Sequence, residues 1–177
     1  MARKAVPQPE TTAYVRALGR LARRDHSEVE LRHALRERGH SADEVDSALE
    51  RLRGQRYLDD AGFAERFARS RLQGHRVGSN RIRQGLRQRG VDRQVGEAGL
   101  RKALEDAPER EALEAAARAY WRTHQRDEPK TRIRRLWAFL LRRGFPAELV
   151  SRSLGELWPR HRSALEGLTL LDGESLE

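Results

Sequence analysis

Hydrophobic positions recur along this chain with a period of about fifty residues. Each copy places an aliphatic residue, a leucine four residues later, and an Arg-Gly pair three and four residues beyond that leucine. The first copy begins at Leu31, and the pattern returns 51 residues later and again after a further 54. The three copies are Leu31, Leu35, Arg38 and Gly39; Ile82, Leu86, Arg89 and Gly90; and Leu136, Leu140, Arg143 and Gly144. Helical spacing repeated at this period predicts tandem small helical units, each covering its neighbour's apolar face.

Within the first unit, the glycine is expected to separate two helices. Ser27 with Glu30, and Ser41 with Glu44, have the spacing of capping boxes that open helices. Gly39 suits the left-handed residue that ends the first of them. A preceding helix, over about residues 12–23, is expected to bury the apolar residues Tyr14, Val15, Leu18 and Leu21. The unit is therefore predicted to be a three-helix bundle.

The same reading extends to the rest of the chain and predicts an all-α fold, an elongated tandem array of three three-helix-bundle repeats. Asp59 and Asp60 precede the first helix of the second repeat and are expected to cap it. Gly96 and Gly99 are expected to weaken its third helix. The predicted organisation is a disordered leader at 1–11, repeats at 12–56, 57–106 (the basic one) and 107–159, and an acidic tail at 160–177.

Composition places the chain among intracellular proteins without membrane spans. There is no cysteine, which excludes disulfides and thiolate metal sites, and no apolar run long enough to cross a membrane. The first nine residues lack the apolar core of a secretory signal. We therefore expect a cytoplasmic protein.

The charge is unevenly distributed among the predicted repeats. The chain has 36 basic and 27 acidic residues, a net charge of +9. Residues 1–60 carry a net charge of +1, residues 61–104 carry +8 and residues 105–177 carry none. Nearly all of the excess positive charge therefore lies in the middle repeat. The arginines of this repeat are expected to lack acidic partners.

This concentration of arginine predicts an anion-binding surface on the middle repeat. Arg83 and Arg87 are four residues apart on one helix, where like charges repel unless an anion neutralises them. A phosphate backbone or an acidic protein groove would both serve. The candidate binding residues are Arg69, Arg71, Arg76, Arg81, Arg83, Arg87, Arg89 and Arg93.

Signals for catalysis are missing from the sequence. The glycines follow helices instead of forming a phosphate-binding loop. The six histidines never pair at a spacing of four residues and have no metal-binding companions. No nucleophile has a base in a recognisable arrangement. We expect no catalytic residues, no cofactor and no metal, and hence a protein that is not an enzyme.

Several of these segments resemble the RecX regulators of bacterial recombination. The resemblance is carried by the tandem three-helix units, by the run 57–60 with Phe63, Ala64 and Phe67, by the stretch 27–39, and by the central segment 81–91. It spans about residues 12–157. What it implies is a modulator of the RecA recombinase that binds RecA filaments on single-stranded DNA and suppresses strand exchange, ATP hydrolysis and co-protease activity, without a cofactor. Direct contact with single-stranded DNA, no membrane association and a monomeric state complete this expectation.

Other classes of function remain open at this level. The segment 28–53 resembles a DNA-binding helix-turn-helix motif in its pattern of two helices joined by a short glycine turn. Its second helix carries four acidic residues, however, which would repel phosphate. A structural adaptor would distribute its charge evenly, which this chain does not. The principal alternative is a helical-repeat nucleic-acid-binding protein without a RecA partner.

Overall fold

The computed structural model describes residues 12–161 and Leu165. This part of the chain forms nine α-helices and a closing 3-10 turn, and it contains no β-strand, which confirms the all-α prediction. The helices are α1 (Ala13–Leu21), α2 (Glu28–Arg36), α3 (Ala42–Gly54), α4 (Asp60–Gln73), α5 (Ser79–Gln88), α6 (Arg93–Asp106), α7 (Glu109–Thr123), α8 (Pro129–Arg142) and α9 (Ala147–Leu157), followed by the turn Pro159–His161. The predicted leader at 1–11 and most of the predicted tail at 160–177 lie outside the described residues.

The described residues divide into two compact units. Unit 1 takes in 12–65 and 86–99, and unit 2 takes in 66–85, 100–161 and Leu165. Helices α4, α5 and α6 each contribute residues to both units. Unit 1 has a core of alanine and aliphatic side chains from α1, α2 and α3, closed by Leu58. The core of unit 2 is built by α7, α8 and α9 around Leu113, Ile133, Phe145 and Val150.

The fifty-residue pattern marks buried positions in all three copies. The leading aliphatic residue is fully buried in each copy, and the following leucine is no more than 2% exposed. The glycine that follows has a positive φ of +86° at Gly39, +72° at Gly90 and +87° at Gly144. These are left-handed turns that glycine adopts without a steric cost. The predicted register is confirmed.

Both predicted capping boxes in unit 1 are present. The Ser27 hydroxyl accepts a hydrogen bond from the Glu30 backbone N–H at 3.1 Å, and the Glu30 carboxylate accepts one from the Ser27 N–H at 3.2 Å. Ser41 and Glu44 repeat this exchange at 3.3 and 2.7 Å. Each box satisfies two backbone donors that the first turn of a helix would otherwise leave unpaired.

The predicted inner face of α1 is wrong at Val15 and omits two buried alanines. Ala13 and Ala17 are the buried residues of this helix, whereas Val15 is 53% exposed. Tyr14, Leu18 and Leu21 are half-buried at the edge of the core. Two small side chains face the core, so the helix is rotated away from the stripe that its larger apolar residues suggested.

The prediction that Asp59 and Asp60 both cap α4 is only half right. Asp59 accepts a hydrogen bond from the Ala61 N–H at 3.1 Å, as a capping residue does. Asp60 instead accepts one at 2.9 Å from the backbone N–H of Glu28, the first residue of α2. The first helix of the second repeat therefore supplies a cap to the middle helix of the first.

Glycines allow close approaches between helices within each unit. A Cβ atom on Gly90 would lie 2.5 Å from the Cβ of Val29 in unit 1, and one on Gly144 would lie 2.5 Å from the backbone N of Arg81 in unit 2. Gly99, expected to weaken α6, lies inside a continuous helix, where a Cβ would meet Ala64 at 2.6 Å. Because Gly99 has no side chain, α6 can pack closely against α4 in unit 1.

Candidate functional site

The eight arginines predicted to bind a partner are distributed between the two units. Unit 1 contains three of them, Arg87, Arg89 and Arg93. Unit 2 contains the other five, which are Arg69, Arg71, Arg76, Arg81 and Arg83. Their surroundings decide which of the guanidinium groups are available to a partner and which are already engaged within the protein.

In unit 2, the two arginines of α4 are engaged by neighbouring side chains. Arg69 forms an ion pair with Asp106 at the end of α6. The guanidinium of Arg71 lies over the ring of Phe67, 5.0 Å from its centroid, in a cation–π contact. Both arginines are half-buried. They stabilise unit 2, and a partner would have to compete with these contacts.

The arginines at the start of α5 also have partners inside unit 2. Arg81 donates a hydrogen bond to the carbonyl oxygen of Arg142 at 3.0 Å. Arg83 donates to the Ser79 hydroxyl and to the Asn80 side-chain oxygen, both at 3.2 Å. The row that sequence spacing placed at Arg83 and Arg87 is therefore uneven, because Arg83 is half-buried and folded back on its own helix while Arg87 is exposed.

Arg76 lies in the segment between α4 and α5 and has a positive φ of 51°. Its carbonyl oxygen accepts a hydrogen bond from Nε of Arg143 at 2.9 Å, which holds the backbone of the segment in place. The Arg76 side chain is exposed, and within the described part of the chain its guanidinium has no hydrogen-bond or ion-pair partner. It is the most available of the five predicted arginines in unit 2.

In unit 1, Arg89 has a structural role. Its Nε lies 3.6 Å from the Glu30 carboxylate, and its carbonyl oxygen accepts a hydrogen bond from the Ser27 hydroxyl at 2.5 Å. The pKa of Glu30 lies below its ordinary value: burial opposes this shift, but hydrogen bonds from Arg24 and Ser27 and the charge of Arg89 outweigh it. Arg89 thus joins the turn after α5 to the start of α2.

Arg87 and Arg93 are the exposed members of the set in unit 1. Neither guanidinium has a hydrogen-bond or ion-pair partner among residues 12–161. Arg93 is also the first residue of α6, where the partial positive charge of the helix N-terminus opposes a cation. An exposed arginine at such a position contributes nothing to the helix, so its charge is available to an anionic partner.

Two of the predicted arginines contradict the expectation that the middle repeat lacks acidic partners. Arg69 pairs with Asp106 and Arg89 with Glu30, and both acids lie outside residues 61–104. Counting charges by sequence block could not find these pairs, because folding brings the acids in from flanking segments.

The same counting missed a second basic surface. In unit 1, arginines of α1 and the segment after it surround a pocket of about 630 Å³ together with Arg38. The near-neutral balance of residues 1–60 concealed this cluster, because the acids of that block lie mainly on α2 and α3. A charge count over a window of about fifteen residues would have found it.

The remaining chemistry of the described residues is limited. No cluster of three or more histidine and carboxylate side chains there is arranged to hold a metal ion. None of the helices described is both long and apolar enough to cross a membrane.

Comparison with known proteins identifies the repeats one by one. Residues 13–52 match the family model of the first three-helix domain of RecX. Residues 59–100 match the second RecX three-helix domain, and residues 108–154 match the third. The fold and these matches together define a class of regulatory proteins built from tandem three-helix domains.

Whole-chain relatives agree with the domain matches. The regulatory protein RecX of Chromohalobacter salexigens is 38% identical over 156 residues, covering 86% of this chain and 97% of the relative. That of Prosthecochloris aestuarii is 34% identical over 142 residues, covering 80% of this chain and 91% of the relative. The chain belongs to the RecX family of regulatory proteins.

Solved structures share the fold. The crystal structure of RecX from Lactobacillus salivarius superimposes with a TM-score of 0.72 at 20% identity, covering 82% of this chain and 94% of that one. A second crystal structure of a regulatory protein RecX gives a TM-score of 0.66 at 26% identity, covering 77% of this chain and 68% of that one.

Proposed function

We propose that this chain binds the RecA recombinase, either free or as a filament on single-stranded DNA, and inhibits its recombinase, ATPase and co-protease activities. In this role it modulates DNA repair, homologous recombination and the SOS response. It acts in the cytoplasm as a monomer, without a cofactor and without catalysing a reaction. Membership of the RecX family supports this proposal.

The observation that carries the proposal is the net charge of residues 61–104, which is +8 and is only partly offset by Asp106 and Glu30 from outside this segment. Two of its arginines, Arg87 and Arg93, are exposed in unit 1 and have no partner among the described residues. A surface of this kind favours an anionic partner and speeds association with it. Acidic RecA surface and the DNA within the filament both provide such a partner.

The pair Arg87 and Arg93 gives a sharper test than Arg83 does. Burial raises the pKa of Glu109, and the positive charge of Arg83 opposes that shift, so an acid at position 83 would disturb the fold as well as the surface. Replacing Arg87 and Arg93 breaks no hydrogen bond or ion pair between described residues. Charge reversal at these two positions therefore reports on binding.

The experiment measures binding of the chain to RecA assembled on single-stranded DNA, with Arg87→Glu/Arg93→Glu against the matched control Arg36→Glu/Arg56→Glu. The control changes the net charge equally at two exposed arginines of unit 1. We expect the first variant to bind about tenfold more weakly, or worse, and the control to lose less than about threefold from general attraction. Equal losses of binding affinity in the two variants would show that Arg87 and Arg93 do not lie in the interface.

The same experiment separates the alternative function. Tight, salt-sensitive binding to bare single-stranded DNA with no preference for RecA-coated DNA would indicate a helical-repeat nucleic-acid-binding protein without a RecA partner.

A further inference from the structure

A pocket of about 630 Å³ in unit 1 is lined by half of the arginines of the first repeat. Its lining includes five arginines and one histidine, which are Arg16, Arg20, Arg23, Arg24, Arg38 and His26. Residues 12–26 contain four arginines and a single acid, Asp25. Arg16, Arg20 and Arg23 follow each other at helical spacing along one side of α1 and the turn after it.

Most of these arginines have no counter-charge among the described residues. Arg24 pairs with Glu30 at 3.1 Å. Arg16, Arg20, Arg23 and Arg38 have no carboxylate partner within the described ranges. Like charges spaced three and four residues apart repel each other. The mutual repulsion of these charges costs free energy, which an anion bound among them would offset.

One buried polar atom in the pocket wall is also without a partner. Nε of Arg16 is buried and makes no hydrogen bond to any described residue. His26 is only 6% exposed, and its Nδ1 donates to the carbonyl oxygen of Arg24 at 2.9 Å. That bond leaves Nε2 as the ring nitrogen with no hydrogen-bond partner among the described residues. Buried polar groups in native proteins normally have such partners, so an unpaired one marks a place that a ligand can complete.

Helix ends do not account for the whole cluster. α1 and α2 both terminate near this pocket, and arginines are favourable at the C-terminus of a helix. Two helix dipoles are together equivalent to about one negative charge. The four guanidinium groups that have no carboxylate partner among the described residues exceed that amount, and Arg16 lies more than one turn before the C-terminus of α1. The remaining positive charge calls for an external anion.

The shape and the apolar edge of the pocket point to a nucleotide unit. Val15 lines the pocket and is 53% exposed, which offers an apolar surface to a sugar or a base. A Cβ placed on Gly19, also in the lining, would meet no atom within 4 Å, so the space beside α1 is open. A pocket of this volume is in the range that holds small ligands. An acidic peptide would use the guanidinium groups but would leave Val15 without a matching partner.

We propose that this pocket binds the sugar-phosphate backbone of a single-stranded nucleic acid, with Arg16, Arg20 and Arg23 contacting a phosphate and Val15 lying against the attached nucleoside. Arginine is suited to this role because its planar fork donates two parallel hydrogen bonds to a phosphate. Nε2 of His26 adds a contact from the pocket wall. The inference requires no recombinase and is independent of the proposed partner at residues 61–104.

The test compares Arg20→Gln/Arg23→Gln with the control Arg36→Gln/Arg56→Gln, which loses the same charge at two exposed arginines of unit 1 outside the pocket. Binding of a fluorescein-labelled fifteen-nucleotide single strand is followed by anisotropy at several salt concentrations. We expect about tenfold weaker binding for the pocket variant and less than about twofold weaker binding for the control. The slope of the logarithm of the binding constant against the logarithm of the salt concentration should be shallower by about 1 to 1.5 for the pocket variant. Thermal unfolding checks that both variants fold.

A second readout identifies the ligand class. The NMR signals of the His26 ring are followed in the wild-type chain during addition of the oligonucleotide, of inorganic phosphate and of a poly-glutamate peptide at equal anion concentration. We expect the oligonucleotide to move the His26 signals at the lowest concentration, with the exposed His33 as an internal reference. Equal losses of affinity in the two variants, or unchanged affinity in both, would overturn the proposal. So would His26 shifts produced equally well by the peptide or by free phosphate.

Discussion

The Glu109 carboxylate accepts a hydrogen bond from the backbone N–H of Ser79 at 2.6 Å. Ser79 is the first residue of α5, and Glu109 is the first residue of α7. In unit 1, Asp60 at the start of α4 accepts a hydrogen bond from Glu28 at the start of α2. In both cases the first helix of one repeat caps the middle helix of the repeat before it. This contact joins consecutive repeats by satisfying a donor that neither repeat satisfies alone.

Removing this cap should destabilise the fold. Glu109→Ala leaves the N–H of Ser79 without its partner, so we expect the free energy of unfolding to fall by about 0.5–2 kcal/mol. Glu109→Gln keeps an acceptor oxygen, so its free energy of unfolding should fall by less than that of Glu109→Ala. Chemical denaturation measures both, with Glu111→Ala as a control that removes an exposed acid from the same helix. A Gln variant that loses as much as the Ala variant would contradict the capping role.

The same carboxyl predicts a pH dependence. Burial raises the pKa of Glu109 above its ordinary value of 4.5, although hydrogen bonds from Ser79 and the charge of Arg83 oppose the shift. Because the folded pKa is the higher one, the protonated carboxyl stabilises the fold relative to the charged form. That contribution is complete below the unfolded pKa and is lost as the pH rises through the folded pKa.

Glu109→Gln should therefore gain stability relative to the wild-type chain as the pH rises from about 4 upward. Measuring the free energy of unfolding of both proteins over this range isolates Glu109 from other groups such as Asp60, whose pKa is also raised by burial. A difference between the two proteins that stays constant, or that moves in favour of the wild type, would refute the assignment.

The three turn glycines should differ in their tolerance of alanine. All have a positive φ, so each substitution should cost about 1–2 kcal/mol in backbone strain. A Cβ on Gly39 would meet nothing within 4 Å, whereas one on Gly144 would lie 2.5 Å from the backbone N of Arg81. We therefore expect Gly144→Ala to lower the thermal midpoint well beyond Gly39→Ala. Similar losses at the two sites would show that the close approach to α5 is not required.

Two glycines of α6 provide a matched pair without positive φ. A Cβ on Gly96 would lie in ordinary contact with Leu86 at 3.6 Å, so Gly96→Ala should stabilise the chain by up to about 1 kcal/mol through helix propensity. A Cβ on Gly99 would lie 2.8 Å from the backbone N of Glu65, so Gly99→Ala should destabilise it by about 1–3 kcal/mol through overpacking. Denaturation midpoints that rank the two variants in the opposite order would contradict this packing of α6.

Local signals in the sequence are sufficient for the helices and their register. Leu31, Leu35 and Gly39 follow from helical spacing and turn chemistry, and the capping boxes follow from residues three apart. The rotation of α1 was missed because Ala13 and Ala17 carry a weaker apolar signal than Val15. Small residues can occupy the most closely packed side of a helix, and hydrophobicity alone does not show this.

The site was less predictable than the fold because its features depend on distant partners. Asp60 caps a helix that begins 32 residues earlier in the chain, and Arg69 pairs with an acid 37 residues later. No local pattern specifies such pairs. The sequence indicated the basic character of the middle repeat, while the distinction between the engaged Arg89 and the exposed Arg87 required the structure.

The most direct test of RecA regulation is a titration of the purified chain into RecA assembled on single-stranded DNA, followed by ATP hydrolysis, with binding to bare DNA measured in parallel. We expect hydrolysis to be inhibited at fewer than one chain per RecA monomer, and Arg87→Glu/Arg93→Glu to inhibit less than the Arg36→Glu/Arg56→Glu control. Unchanged hydrolysis at saturating protein, alongside tight binding to bare DNA, would contradict regulation of RecA by this chain.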